Sequence, residues 1–223
     1  MPRVSAEHLE RRRQQILDAA QLCFARRGFH ETSMQDIFTE SGLSAGAVYR
    51  YFKSKNDIIA ALATETTVEL RAVMTEAIRT DPLPTPAEFT IIIARYIVAH
   101  SGPDGTVRLA PQAWALALVH PEAAEYVKAA VLGMRDRWHE YVERMQEVGW
   151  LPAEADTHAV TTAIIGLLPG FMLQHLIIGD VEPETFAQGV RVLLPYGEPA
   201  AQAVRTSSRT TRLPVESASR SAD

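Results

Sequence analysis

Two stretches of helical patterning, each only about two turns long, meet at Ser41-Gly42-Leu43-Ser44. A helix that short has too few internal hydrogen bonds to persist alone, so its neighbours must hold it. The first stretch opens at Thr32 or Ser33, either of which suits an N-cap with Gln35 or Asp36 three residues on, and carries Met34, Ile37 and Phe38. The second runs from Ala45 to Phe52 with Ser44 as its cap. Gly42 supplies the positive φ that a tight turn between them requires. Ile37, Leu43, Val48 and Phe52 are spaced to lock the pair against a longer first helix. Two short helices joined in this way between longer ones predict a helix-turn-helix unit.

The remainder of the 223-residue chain also reads as helix, with no clean period-two strand. Residues 7–27 place Leu9, Ile16, Leu17, Ala20, Cys23 and Phe24 on one face, and Gly28 ends that helix. Ser54-Lys55-Asn56-Asp57 and Thr85-Pro86-Ala87-Glu88 are capping boxes that open two more. Later helices are expected over 106–118, 121–148, 154–178 and 183–194, with Pro111 and Pro169 bending or interrupting two of them. The fold class is therefore all-α. Its expected parts are a helix-turn-helix domain over 1–55 and a larger helical domain over 56–197. Residues 198–223 hold almost no large apolar side chains and are expected to be a disordered tail.

Composition narrows the class further. Apolar residues make up 47% of the chain, enough for a sizeable core. One cysteine, Cys23, excludes an internal disulfide and favours a reducing compartment; it reads as a buried small hydrophobe. The first residues lack an apolar run, which predicts no signal peptide. The longest apolar stretch, 159–178, contains Thr161, Thr162, Pro169, Gln174 and His175, so it reads as a buried helix rather than a membrane span. A net charge of -5 argues against nucleic acid only until it is divided along the chain. Residues 1–60 carry +2, residues 61–197 carry -8, and the remainder carries +1. A basic end joined to an acidic body is a two-part pattern.

The second short helix leaves Ala45, Gly46, Ala47, Tyr49, Arg50 and Tyr51 on its free surface. Small residues at its start let the backbone approach a groove floor or a phosphate, with the positive helix end facing the DNA. Ser44 has no carboxylate partner at Ala47, and so nothing there repels phosphate.

These residues resemble the TetR/AcrR-type one-component transcriptional regulators. The resemblance rests on Ile16-Leu-Asp-Ala-Ala, Phe24-Ala-Arg-Arg-Gly28-Phe, Thr32-Ser-Met-Gln-Asp-Ile37 and, above all, Ser41-Gly42-Leu-Ser44-Ala-Gly46-Ala-Val-Tyr49-Arg-Tyr51-Phe52-Lys-Ser-Lys55. Phe38, where a small residue is usual, and Ile58-Ile59, in place of leucines, depart from the pattern and bear on packing. The resemblance implies an all-helical homodimer that binds a double-stranded DNA operator and carries a C-terminal domain for a small ligand and for dimerisation. It implies phosphate contacts for Thr32, Ser33 and Lys55 and phosphate or groove contacts for Gly46, Tyr49 and Tyr51, with Ser44 and Lys53 in the same surface. Ala45, Ala47 and Arg50 stand at positions that often face bases. Arg50 is either the base reader, since arginine binds guanine bidentately, or one more phosphate contact. Arg11, Arg12 and Arg13 fan around their helix, so at most one or two face DNA and the rest are solvated.

The acidic body carries Phe89, Tyr96, Trp114, Met134, Trp138, Tyr141 and Phe171, with His100 and Arg108 as polar partners, as candidates for an aromatic ligand pocket. The plainer reading makes most of them core residues. Helix 154–178 is apolar nearly all round and must be covered on every side. Ile164, Leu167, Leu168, Phe171, His175 and Leu176 are therefore assigned to a dimer interface, paired with 183–194. Gly166 and Gly170 allow close approach there or mark a kink. His139-Glu140-Tyr-Val-Glu143 has a glutamate where a zinc-protease helix needs its second histidine. No catalytic residue, metal or cofactor is expected. The sequence thus predicts a cytoplasmic, ligand-responsive repressor, released from a palindromic operator by a small apolar or aromatic molecule. The alternatives are a regulator or scaffold without a small ligand, and an activator.

Overall fold

The computed structural model describes residues 6–197, and every regular element among them is helical. The expected tail, 198–223, lies outside the described residues. The first helix, α1 (Ala6–Glu31), buries Ile16, Leu17, Ala20 and Phe24. A kink at Gly28, whose backbone (φ 82°, ψ 166°) is not helical, ends the long part of this helix, and a short helical turn carries on to Glu31. The short pair follows as α2 (Met34–Ser41) and α3 (Ala45–Tyr49), with Gly42 left-handed at φ 65° between them. The second of the pair is shorter than expected, because Arg50 already caps it. Ile37, Val48 and Phe52 are buried against α1, with Leu43 packed at the edge.

The next helix, α4 (Lys55–Arg79), joins two cores. Its start places Ile58, Ile59 and Leu62 with the short helices, and its end places Met74, Ala77 and Ile78 in a second core. That core is built with α5 (Pro86–Ala99), α7 (Pro121–Glu147), α8 (Thr157–Ile164), α9 (Leu167–Ile177) and α10 (Pro183–Leu193). A 3-10 turn over Thr106–Arg108 leads into α6 (Leu109–Ala117). One face of α6 sends Leu109, Ala113 and Leu116 into the first core, while Ala110 and Trp114 pack on the second. Both α4 and α6 thus contribute side chains to each core.

The prolines act where the backbone geometry allows. Pro111 falls in the first turn of α6, where no N–H donor is needed, and the irregular backbone lies just upstream of it. Pro169 cannot donate to the Ile165 carbonyl, and the expected 154–178 helix breaks there, at Ile165-Gly166. The stretch Thr157–Ile177 is long and apolar enough to cross a membrane, yet Leu168, Phe171 and Met172 are buried in the second core. His139 links α7 to α8 through Thr161 Oγ1 at 3.2 Å and sits 3.5 Å from Glu143. No group of potential metal ligands occurs among the described residues.

Helix starts follow their caps. The Thr85 hydroxyl accepts from the Glu88 N–H, and the Glu88 carboxylate accepts from the Thr85 N–H at 2.8 Å. Thr85→Ala should lower stability by about 1 kcal/mol, read from the urea midpoint.

Candidate nucleic-acid interface and ligand cavity

The turn between α1 and α2 is tied from three sides. The Thr32 hydroxyl donates to the Gly28 carbonyl at 2.8 Å and lies within 3.2 Å of the Cys23 carbonyl. The Lys55 ammonium donates to the carbonyls of Phe29 (2.6 Å) and Thr32 (2.9 Å). Ser33 caps α2 in a reciprocal box with Asp36, whose carboxyl is held below its ordinary range by the Ser33 hydrogen bonds and by Arg27 at 2.7 Å. Cys23 is buried and its thiol is pushed up by that burial, as suits a small core hydrophobe.

Helix α3 stands out from this base. Ser44 accepts from the Ala47 N–H, and Ser44, Ala45, Gly46, Tyr49, Arg50 and Lys53 are exposed. Ala47, Tyr51 and Lys55 are half-buried beside them. Phe38, the departure noted above, is buried and meets the Tyr49 ring edge-on at 5.5 Å, so it props that ring at the surface. Lys53 closes the end of the helix by donating to the Tyr49 carbonyl at 2.9 Å. The Arg50 guanidinium makes no hydrogen bond or ion pair with a described residue. Among the expected contacts, the structure corrects Thr32, whose side chain is 1% exposed and already spent inside the turn. Ser33 remains exposed. In the arginine run, Arg13 faces Glu65 at 2.8 Å and lies over Phe52, and Arg12 donates to Gln15.

A cavity of about 170 Å³ opens between α4, α5, α6, α7 and α9. Four of the ligand candidates, Tyr96, Trp114, Met134 and Trp138, line it, and no charged side chain does. The Tyr96 hydroxyl is held neutral by burial and by its 3.0 Å hydrogen bond to Glu69. The other five candidates do not line this cavity, although Tyr141 borders a separate one of about 250 Å³ beside Trp138. Phe89, Tyr141 and Phe171 are fully buried core, Phe89 stacked on Tyr141 at 4.0 Å with the Tyr141 hydroxyl donating to the Pro84 carbonyl. His100 binds the Tyr96 carbonyl, and Arg108 is exposed and donates to the carbonyls of Ser101 and Gly102. The sequence reading missed the aliphatic walls, chiefly Leu70, Ile97, Val131 and Met172, because nothing in their chemistry separates wall from core.

Of the residues assigned to a dimer interface, two are fully enclosed in the single chain and four are half-buried. Leu168 and Phe171 are buried within their own subunit, and Ile164 and Leu176 pack on the same core. His175 is pinned by Ser101 at 3.0 Å and by the Val181 carbonyl, and Leu167 is half-buried. The opposite side of the helix is the open one. Ile177 is 77% exposed and Ile178 61%, with Leu173, Val192 and Leu193 also bare.

Side-chain links also join α1 to α6 and to the loop before it. The Gln112 side chain on α6 accepts from the Phe29 N–H at 2.9 Å. Asp104 holds Arg26 at 2.9 and 3.3 Å and takes Gln21 through its carbonyl.

Comparison with known proteins agrees with this geometry. Residues 16–62 match the family model of bacterial regulatory proteins, tetR family. The HTH-type transcriptional repressor Rv1474c of Mycobacterium tuberculosis is 35% identical over 103 residues, 44% of this chain and 55% of that protein. The aligned part thus spans about half the length of that relative. YdgC of Bacillus subtilis, an uncharacterized HTH-type transcriptional regulator, is 25% identical over 83% of this chain and 91% of its own. Among solved structures, the regulator FadR of Bacillus subtilis, in complex with stearoyl-CoA, superposes with a TM-score of 0.69 at 19% identity, covering 82% of this chain and 97% of that one.

Proposed function

This chain is a TetR-family transcriptional regulator, a family of non-enzymatic proteins, and from that premise we propose that it works as a homodimeric repressor in the cytoplasm. Each subunit lays α3 in a major groove of a palindromic operator, and a small apolar or aromatic molecule in the α4–α7 cavity releases the pair. The observation that carries this reading is α6, which is packed into the core of the DNA-binding helices on one face and borders the cavity on the other. A ligand that fits better when α6 is displaced drags on α1 through Gln112 and Phe29, and only that difference in fit can move the equilibrium. The similarity to Rv1474c, a transcriptional repressor, supports repression.

The cavity supports a compact effector. Apolar cavities of about 150 Å³ hold benzene, so about 170 Å³ suits a ring-sized body. The stearoyl-CoA of FadR is a larger and charged ligand. Walls without a charged group favour an uncharged molecule here.

The test is a fluorescence-anisotropy titration of duplex DNA over a salt series. Arg50→Ala should cost about 1–3 kcal/mol of base discrimination. Tyr49→Ala should weaken binding on every sequence, and Lys53→Ala should shallow the log–log salt slope by about one unit. Unchanged binding in all three variants would remove α3 from the interface. Lys55→Ala is a poorer probe, because it also unties the carbonyls of Phe29 and Thr32.

A further inference from the structure

A second, smaller cavity of about 70 Å³ lies where the DNA-binding helices meet the body. Phe29 of α1 and Ile59 and Leu62 of α4 form its inner wall. It adjoins the larger one, and Thr67, Ala110, Trp114 and Ala130 border both. One more lining residue stands apart from this apolar surface. Thr106, in the 3-10 turn before α6, has its Oγ1 buried without a hydrogen-bond partner among the described residues. The neighbouring hydroxyls are already committed, Thr67 to the carbonyls of Ala63 and Thr64, and Tyr96 to Glu69. A buried hydroxyl left unpaired is costly, and a ligand atom that reaches it recovers a hydrogen bond that water no longer supplies.

We propose that the small cavity is a second chamber of the effector site, which takes a short chain ending in a hydrogen-bonding oxygen that pairs with Thr106. The ligand class follows. It is an uncharged molecule with a ring-sized apolar body, a short aliphatic extension and a terminal hydroxyl or carbonyl. A water molecule's share of liquid is about 30 Å³, so about 70 Å³ admits the tip of such a chain and excludes a second ring. Ala130 and Trp114 stand between the chambers, where the extension would have to pass, and the tip comes to rest against Phe29 and Ile59. The extension therefore touches the DNA-binding core directly, while the ring does not.

This inference rests on the larger cavity being the effector site, and the experiment separates the two. Calorimetric titration compares 3-phenylpropan-1-ol with propylbenzene, which differ only in the terminal hydroxyl. The wild-type protein should bind the alcohol about two- to tenfold more tightly, the worth of one net hydrogen bond. Thr106→Val, nearly the same shape without the hydroxyl, should bind both equally, and its unliganded Tm should be no lower than that of the wild type. Ala130→Leu, which adds bulk between the chambers, should also abolish the alcohol's advantage. If propylbenzene binds and the alcohol gains nothing, or if the gain survives Thr106→Val, the second chamber is overturned. If neither compound binds the wild-type protein, the reading of the larger cavity fails as well.

Discussion

Ile177→Glu together with Ile178→Glu should yield a folded monomer whose affinity for a two-half-site duplex falls about 10²–10⁴-fold. Both side chains lie largely in solvent in the single subunit, at 77% and 61% exposure, so the exchange removes almost no internal packing. Bare isoleucines at the end of α9, with Val192 and Leu193 bare on α10, form the kind of apolar surface that a monomer rarely leaves open. In a symmetric dimer each substitution is repeated across the axis, and four carboxylates then face a surface meant to be dry. Once the subunits part, the second half-site no longer benefits from the high effective concentration of a linked partner. Sedimentation velocity reads the oligomer and circular dichroism reads the fold. A dimer that persists in the double variant would move the interface elsewhere. The same substitutions at Leu168 and Phe171, the positions first favoured from the sequence, would instead place charge in the core and unfold the subunit.

Gly28→Ala should destabilise the DNA-binding helices by about 1–3 kcal/mol, a large share of a margin that is commonly about 5–15 kcal/mol. The backbone there, φ 82° and ψ 166°, belongs to a region open essentially to glycine alone. An added Cβ would also come within 3.3 Å of the Gln112 side chain, which is the group that holds the Phe29 N–H. Three further bonds depend on the same turn: Thr32 to the Gly28 carbonyl, and Lys55 to Phe29 and Thr32. Gly46→Ala is the matched control, because a Cβ there meets nothing within 4 Å and the residue is helical. Chemical denaturation should show a loss for the first variant and none for the second. Equal midpoints for Gly28→Ala and wild type would contradict the strained turn.

Local punctuation made the helices legible in the sequence. Ser33, Ser54 and Thr85 each cap the helix assigned to them, with the acidic partner three residues on. The HTH unit was readable because two-turn helices, a glycine turn and four locking apolar residues satisfy one geometry only. The cavity was readable in part. Aromatic side chains drew attention, yet Phe89 and Tyr141 stack on each other in the core, while aliphatic Leu70 and Met172 form the wall. Hydrophobicity tells that a residue is inside, but it does not tell what lies on its far side. The two sides of α9 were hard to tell apart for a related reason. An all-round apolar helix presents both a core side and an open side, and only packing decides that Phe171 takes the first and Ile177 the second. Thr106 and Gln112 gave no signal at all, since their importance comes from contacts between distant segments.

The charge division seen in the sequence bears on the central claim, because an acidic body leaves α3 and its neighbours as the surface that DNA can approach. The most direct measurement is selection of the full-length protein's preferred duplexes from a random-sequence pool. The account predicts enrichment of an inverted repeat whose half-sites are spaced by whole turns of the helix, with a guanine in each half-site that Arg50→Ala no longer selects. A pool that emerges without an enriched repeat, or with a repeat that Arg50→Ala selects equally well, would contradict it.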